Sequence, residues 1–178
     1  MVEIYVLDGG PGNGKTSVIK ELKKRGYKCI DEAPRLLSEN DSRFKGKSIK
    51  EVSKEQFYPA VIDLMIQQAK EAVKNNDVCF IDRGLGGALA YFKLANYKVE
   101  DKKLEFIKNF RYTKVFVFDF LDKYKKDSLR QETEEEQKEI QKNIIECYES
   151  LGIVPIIVPF MSVEKRADFV LKNIHSKL

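Results

Sequence analysis

Gly9-Gly10-Pro11-Gly12-Asn13-Gly14-Lys15-Thr16 is the stretch that decides how the rest of the chain is read. It fits G-x-x-x-x-G-K-[ST], in which glycines turn the backbone inward so that successive N–H groups face one anion. Its flanks agree with that reading. Residues 2–8, VEIYVLD, form a short apolar, β-branched run, and from Lys15 to about Lys24 the residues Val18, Ile19 and Leu22 recur at helical spacing. Gly26 closes the segment as a helix C-terminal glycine does. Strand, glycine turn and helix in that order aim the positive end of a helix at the loop. The expected phosphate-binding residues are Gly9, Gly10, Pro11, Gly12, Asn13, Gly14, Lys15, Thr16 and Ser17. Lys15 reaches the β- and γ-phosphates of ATP, and Thr16 is a ligand for Mg²⁺.

Outward from the loop, short apolar runs alternate with helical periods. Strands are expected at Tyr27–Ile30, Val78–Ile81, Thr113–Phe120 and 153–158. Helices are expected over 53–75, 88–96, 100–110, 133–150 and 162–175. The alternation gives a three-layer α/β domain with a mostly parallel sheet, one domain over 1–178. Pro155 lacks a ladder donor, which puts the last strand at a sheet edge. Pro59 either starts or kinks the first long helix. Residues 38–52 read as a loop or broken helix start. The charged break at 121–132 reads as a lid, with Arg130 supplying charge to the transferring group.

Ligands of parallel α/β sheets collect beyond the carboxyl ends of the strands. Those ends carry Asp8, Asp31-Glu32, Asp82-Arg83 and Asp119, a set of carboxylates that burial would penalise without partners or metal. Asp82 is the candidate metal ligand beside Thr16. Glu32 is the first candidate for the base that takes a hydroxyl proton, and Asp31 the second. Arg83 and Arg35 are candidates to clamp an anionic acceptor. Gly84, Gly86 and Gly87 leave room for a ligand or a bend, and Leu85, Ala88, Leu89, Tyr91 and Phe92 can wall an acceptor pocket. Asp8 sits under the glycine loop and can hold it by accepting hydrogen bonds.

Composition narrows the field. The 178 residues are 43% hydrophobic and 34% charged, a soluble globular balance rather than a disordered one. With 32 Lys+Arg against 28 Asp+Glu, the net +4 is a mixed surface that argues against a nucleic-acid partner, although Arg43, Lys45, Lys47 and Lys50 cluster. The cysteines Cys29, Cys79 and Cys147 fit no metal spacing and no disulfide framework. No apolar run approaches the ~20 residues a bilayer requires. A cytoplasmic protein, monomer or homodimer, with no membrane partner is expected.

With GGPGNGKT at 9–16, GYKCIDEAPRLL at 26–37, DRGLGGALAYFKL at 82–94 and the long segment 128–159, the chain resembles the small-molecule kinases among P-loop proteins. More closely it resembles the predicted AAA-like ATP-binding family that includes the ribosylnicotinamide-kinase domain of bifunctional NAD-biosynthesis regulators. The resemblance implies a P-loop NTPase fold of nucleoside/nucleotide-kinase type, with five parallel strands in order 2-3-1-4-5. It implies Glu32 as base, Asp82-Arg83 as the acidic-arginine pair and Arg130 as the lid arginine. The implied activity is phosphoryl transfer from Mg-ATP to a nucleoside, nucleotide or ribosylnicotinamide-like acceptor. Nucleotide hydrolysis as a switch, and phosphorylation of nucleic-acid ends, remain open alternatives. Asn-Lys-x-Asp is absent after the fourth strand, where the chain reads Asp119-Phe120-Leu121-Asp122, which favours adenine over guanine.

Overall fold

The computed structural model describes residues 2–47, 51–74, 77–120 and 133–175. The expected lid at 121–132, Arg130 included, lies outside the described residues, as does Lys50 of the basic cluster. The elements run β1 (Ile4–Asp8), α1 (Lys15–Lys24), β2 (Lys28–Ile30), α2 (Ala33–Asn40), α3 (Lys54–Lys74), β3 (Cys79–Asp82) and α4 (Leu85–Leu94). They continue with α5 (Asp101–Asn109), β4 (Lys114–Phe118), α6 (Glu134–Ser150), β5 (Ile156–Val158) and α7 (Val163–His175). The strands form one sheet in the order β2-β3-β1-β4-β5, every pairing parallel. Helices cover both faces, so β1 is buried at all five positions and the inner strands carry continuous apolar runs. β5 lies at the edge, where the missing donor of Pro155, just before it, does no harm. Register brings Leu7 opposite Asp82 and Asp8 opposite Val117, which gathers the carboxyl ends of β1, β3 and β4 around the glycine loop.

Apolar packing divides into three clusters. One lies under α1 and α7 and includes Tyr5, Leu7, Ile19, Phe80, Phe116 and Val170. A second covers the other face with Val6, Ile81, Val117, Ile144 and Tyr148. A third joins α2, α3 and α4 through Leu37, Phe57, Val61, Met65 and Phe92.

Several boundaries differ from expectation. α3 starts at Lys54 and runs through Pro59, since packing of Phe57, Val61 and Met65 outweighs one lost backbone bond. α2 continues to Asn40, and Phe44 anchors the turn after it at 1% exposure, so only part of 38–52 is irregular. α4 begins at Leu85, three residues early, and absorbs Gly86 and Gly87. Thr133 caps α6 through a capping box: its hydroxyl accepts from Glu136 N–H (3.2 Å), and Glu136 accepts from Thr133 N–H (2.6 Å). Arg43 pairs with Asp41 (2.6 Å) and covers Phe44, so the basic cluster is partly neutralised by its own turn. The described cysteines are free; burial raises all three thiols, Cys29 to about 12. Among the described residues no helix is long and apolar enough to cross a membrane.

Candidate active site

The glycine loop takes its shape from three residues with positive φ: Gly9 (130°), Gly12 (75°) and Gly14 (82°). At Gly9 a side chain is also excluded by space, because a Cβ would lie 2.9 Å from the Phe118 carbonyl oxygen. Gly14 is the N-cap of α1 and no side chain caps the helix. The first N–H groups of α1, at Lys15, Thr16 and Ser17, have no intrahelical acceptor and face the loop's interior as an anion site.

Asp8 organises the base of this loop. It is fully buried and accepts from Gly9 N–H (2.9 Å), Gly84 N–H (3.1 Å) and the Tyr148 hydroxyl (2.6 Å). One carboxylate thus joins β1, the glycine loop, the turn after β3 and α6. The expectation that Asp8 holds the loop matches this geometry. Gly84, Gly86 and Gly87 do not make room for a ligand. A Cβ at Gly87 would lie 2.1 Å from Asp8 Oδ2, and one at Gly86 would lie 2.5 Å from the Tyr148 ring. These glycines allow α4 to close against β1 and α6.

The Asn13 side chain serves the architecture of the loop. Its side chain is 2% exposed and its amide nitrogen donates to the Phe118 carbonyl and to Gln141 Oε1, both at 2.8 Å. The side chain ties the loop to β4 and α6, leaving only its backbone for a ligand. Gln137, Gln141 and Asn143 are buried on α6 alongside Ile144 and Tyr148.

Lys15 is 6% exposed and donates to the Gly10 carbonyl (2.7 Å), folded over its own loop. Burial, and then the charge of Arg83, lower its ammonium below the ordinary range. Asp82 is 3% exposed; burial, then Glu32, push its carboxyl up to about 6. Asp82 Oδ2 accepts from the Thr16 hydroxyl (3.2 Å), while Asp82 Oδ1 is buried with no hydrogen-bond partner among the described residues. A hydroxyl beside a carboxylate oxygen lacking a partner is a donor set that fits a hard divalent cation such as Mg²⁺, the remaining ligands coming from phosphate and water. Among the described residues no group of three or more His, Cys, Asp or Glu could hold a metal, so this pair is the part of the site suited to one. Both buried groups, cation and carboxylate, gain from a ligand of opposite charge.

Next to the loop, Arg83 ends β3 at φ 70°, a conformation that costs a non-glycine residue about 1 kcal/mol. The turn lets Arg83 N–H bond the Leu7 carbonyl (2.9 Å) and brings the guanidinium to Glu32 (2.8 Å) and over the Tyr91 ring (4.3 Å). A cavity of about 640 Å³ opens here. Its polar lining is Glu32, Arg35, Ser38 and Arg83, and its apolar lining comes from Pro11, Pro34, Phe57, Tyr58, Val61, Met65, Ala88, Tyr91 and Phe92. Asp31 pairs with the exposed Lys23 (2.6 Å) and is not among the residues that line the cavity beside Arg83. Of the expected wall, Leu85 and Leu89 are absent from the lining and pack with the α2–α4 cluster instead. The contribution of Phe57, Tyr58, Val61 and Met65 from α3 to this cavity was not foreseen; its signal is the apolar run of that helix, which places these residues on one face.

Arg166, at 2% exposure, is a further buried residue that sequence reasoning missed. Nothing in its local sequence distinguishes it from the other charges of α7.

A parallel sheet in this order, with a glycine loop leaving its central strand for an uncapped helix, defines a P-loop nucleoside-triphosphate-binding fold. The chain belongs to the AAA domain family, which residues 4–166 match. No curated protein matches it significantly in sequence. Among solved structures it is similar to deoxyadenosine kinase from M. mycoides with dCMP and dCDP bound, at 16% identity and TM-score 0.64, over 98% of this chain and 100% of that one. It is similar to NadR protein in complex with NR, at 17% identity and TM-score 0.71, covering 99% of this chain and 52% of NadR, about half its length. Thymidylate kinase from Ehrlichia chaffeensis matches at 13% identity and TM-score 0.69, over 97% of this chain and 98% of that one. At these identities the likeness is one of fold.

Proposed function

We propose that this protein is a Mg-ATP-dependent kinase that phosphorylates a hydroxyl of a small, nucleoside-like acceptor. The observation that carries the reading is the cavity of about 640 Å³ beside the phosphate loop, with the Glu32–Arg83 pair on its polar side and aromatic rings on its apolar side. A switch that only hydrolyses nucleotide has no use for a ring-sized apolar chamber at this point. The likeness to nucleoside and nucleotide kinases, and to a protein solved with NR, supports the same reading.

In this scheme the N–H groups of residues 9–17 and Lys15 bind the phosphates of ATP, Lys15 exchanging the Gly10 carbonyl for phosphate oxygen. Thr16 and Asp82 would hold Mg²⁺, which would supply positive charge to the nucleotide phosphates. Tyr58, Tyr91 and Phe92 hold the flat ring of the acceptor. Glu32, kept in place by Arg83, aligns the acceptor hydroxyl and takes its proton as the oxygen attacks the γ-phosphorus and the bond to the leaving ADP oxygen breaks. Arg83 and Arg35 bring positive charge to the chamber, and the apolar side excludes water as a competing nucleophile.

The test is product analysis. Incubation with Mg-ATP and a panel of nucleosides, NR and nucleotides, read by mass spectrometry, should give one phosphorylated acceptor. Glu32→Gln should lower that product about 100-fold or more, the general-base range, with ATP affinity little changed. Free phosphate as the sole product, at the same rate in Glu32→Gln, would return the protein to the hydrolase class.

A further inference from the structure

Arg166 lies in the first turn of α7 and is among the most deeply buried large side chains of the protein. Its guanidinium makes no ion pair among the described residues. It donates instead to three carbonyls from three segments: Asn13 of the phosphate loop (2.5 Å), Asp119 after β4 (3.1 Å) and Pro159 after β5 (3.1 Å). The rings of Phe118 and Phe160 lie 5.4 and 5.5 Å from it. A Cβ on Gly14 would lie 3.3 Å from its Nη1, so the cation sits directly behind the backbone of the loop.

A buried cation held by carbonyl dipoles and ring faces, with no ion pair among the described residues, is costly, and three carbonyls do not neutralise it. Burial lowers its pKa, opposed by Asp119, and an arginine keeps its proton even so. The charge therefore stays behind the loop where anion is expected, at low local dielectric, where it is weakly screened.

We propose that Arg166 is a positioning residue for the phosphate site: its fork fixes the loop through the Asn13 carbonyl, and its charge, which no ion pair among the described residues takes up, favours the bound polyphosphate. This rests on residues 9–16 being the ATP site. It adds a residue from the far end of the chain, more than a hundred positions from the loop, to the machinery that reads phosphate.

Arg166→Gln removes the charge, and Arg166→Lys keeps the charge but cannot hold three diverging carbonyls. Binding of ATP, inorganic triphosphate and AMP to wild type and both variants would be measured by calorimetry, with thermal melting of each. In Arg166→Gln the affinities for ATP and for inorganic triphosphate should fall by the same factor, about tenfold or more, the range for one charge-assisted hydrogen bond. AMP, which lacks the β-phosphate, should lose less than twofold. Arg166→Lys should fall between wild type and Arg166→Gln for both polyphosphates. A purely structural role would lower the melting temperature and weaken all three ligands alike, or none, and either result overturns the proposal. So does a loss confined to ATP and AMP, which would place Arg166 at the base, and so does failure of both variants to fold. Wild type that binds neither ATP nor inorganic triphosphate would instead remove the ATP site itself.

Discussion

Gly87→Ala adds one methyl group inside α4, a change that in an exposed helix stabilises by about 1 kcal/mol. Here that methyl would sit 2.1 Å from Asp8 Oδ2 and 2.6 Å from its Cγ. With α4 packed against α6, restoring ordinary contact requires the carboxylate to retreat by about 1 Å, since real Cβ contacts stay above 3.0 Å. Such a shift stretches the Tyr148 bond of 2.6 Å and the Gly9 bond of 2.9 Å past hydrogen-bonding distance. Each hydrogen bond to a buried charge contributes about 1.5–3 kcal/mol. Losing two, less the helix gain, predicts a net loss of about 2–5 kcal/mol. That is a large fraction of the 5–15 kcal/mol typical of a domain. Urea unfolding at neutral pH, followed by circular dichroism, would read it as a lower midpoint at similar slope. Tyr148→Phe in the same background should add less than it does alone, because the bond it removes is already broken. Gly87→Ala as stable as wild type, or more stable, would refute the account of Asp8 as a rigid joint between loop, sheet and helix.

Lys15→Ala should weaken ATP binding roughly ten- to hundredfold by calorimetry, the range for charge-assisted bonds to phosphate, without lowering the unfolding midpoint of the ligand-free protein, because a buried ammonium is costly. For Asp82 the pH dependence has a definite sign. A carboxyl raised to about 6 in the folded chain, against an ordinary 3.8, binds more protons folded than unfolded, so stability falls as pH rises from about 4 to about 6. Asp82→Asn in a chelator should therefore melt higher than wild type at pH 7, by up to about 3 kcal/mol, with the gap closing near pH 4. Mg²⁺ with ATP should raise the melting temperature of wild type far more than that of Asp82→Asn.

The phosphate loop, the alternation of strands and helices and the edge position of β5 were legible because each rests on local chemistry. Glycines at fixed offsets, a helical stripe and a proline that cannot donate are visible in a few consecutive residues. Glu32, Asp82 and Arg83 were legible for a related reason: charges directly after apolar runs mark strand ends. What escaped was long-range. The role of the Asn13 side chain depends on Phe118 and Gln141, more than a hundred residues away, which take its amide. Gly86 and Gly87 looked like ligand space because nothing nearby in sequence predicts Tyr148 against them. Glu32 ranks ahead of Asp31 in the sequence, but their partners, Arg83 for Glu32 and Lys23 for Asp31, are set by the fold. Arg166 has no local mark at all, since its partners come from three loops.

The packing of the molecule is partitioned, and heredity can act on the parts separately. The chamber walls belong to the α2–α4 cluster, whereas the helices flanking the phosphate loop, α1 and α7, rest on a different one. A substitution at Phe57, Met65 or Phe92 reshapes the chamber without touching a residue under the loop. If the proposed acceptor binds there, descendants of such a chain can change it by drift in a few helical side chains, while the packing under the glycine loop stays under unchanged selection.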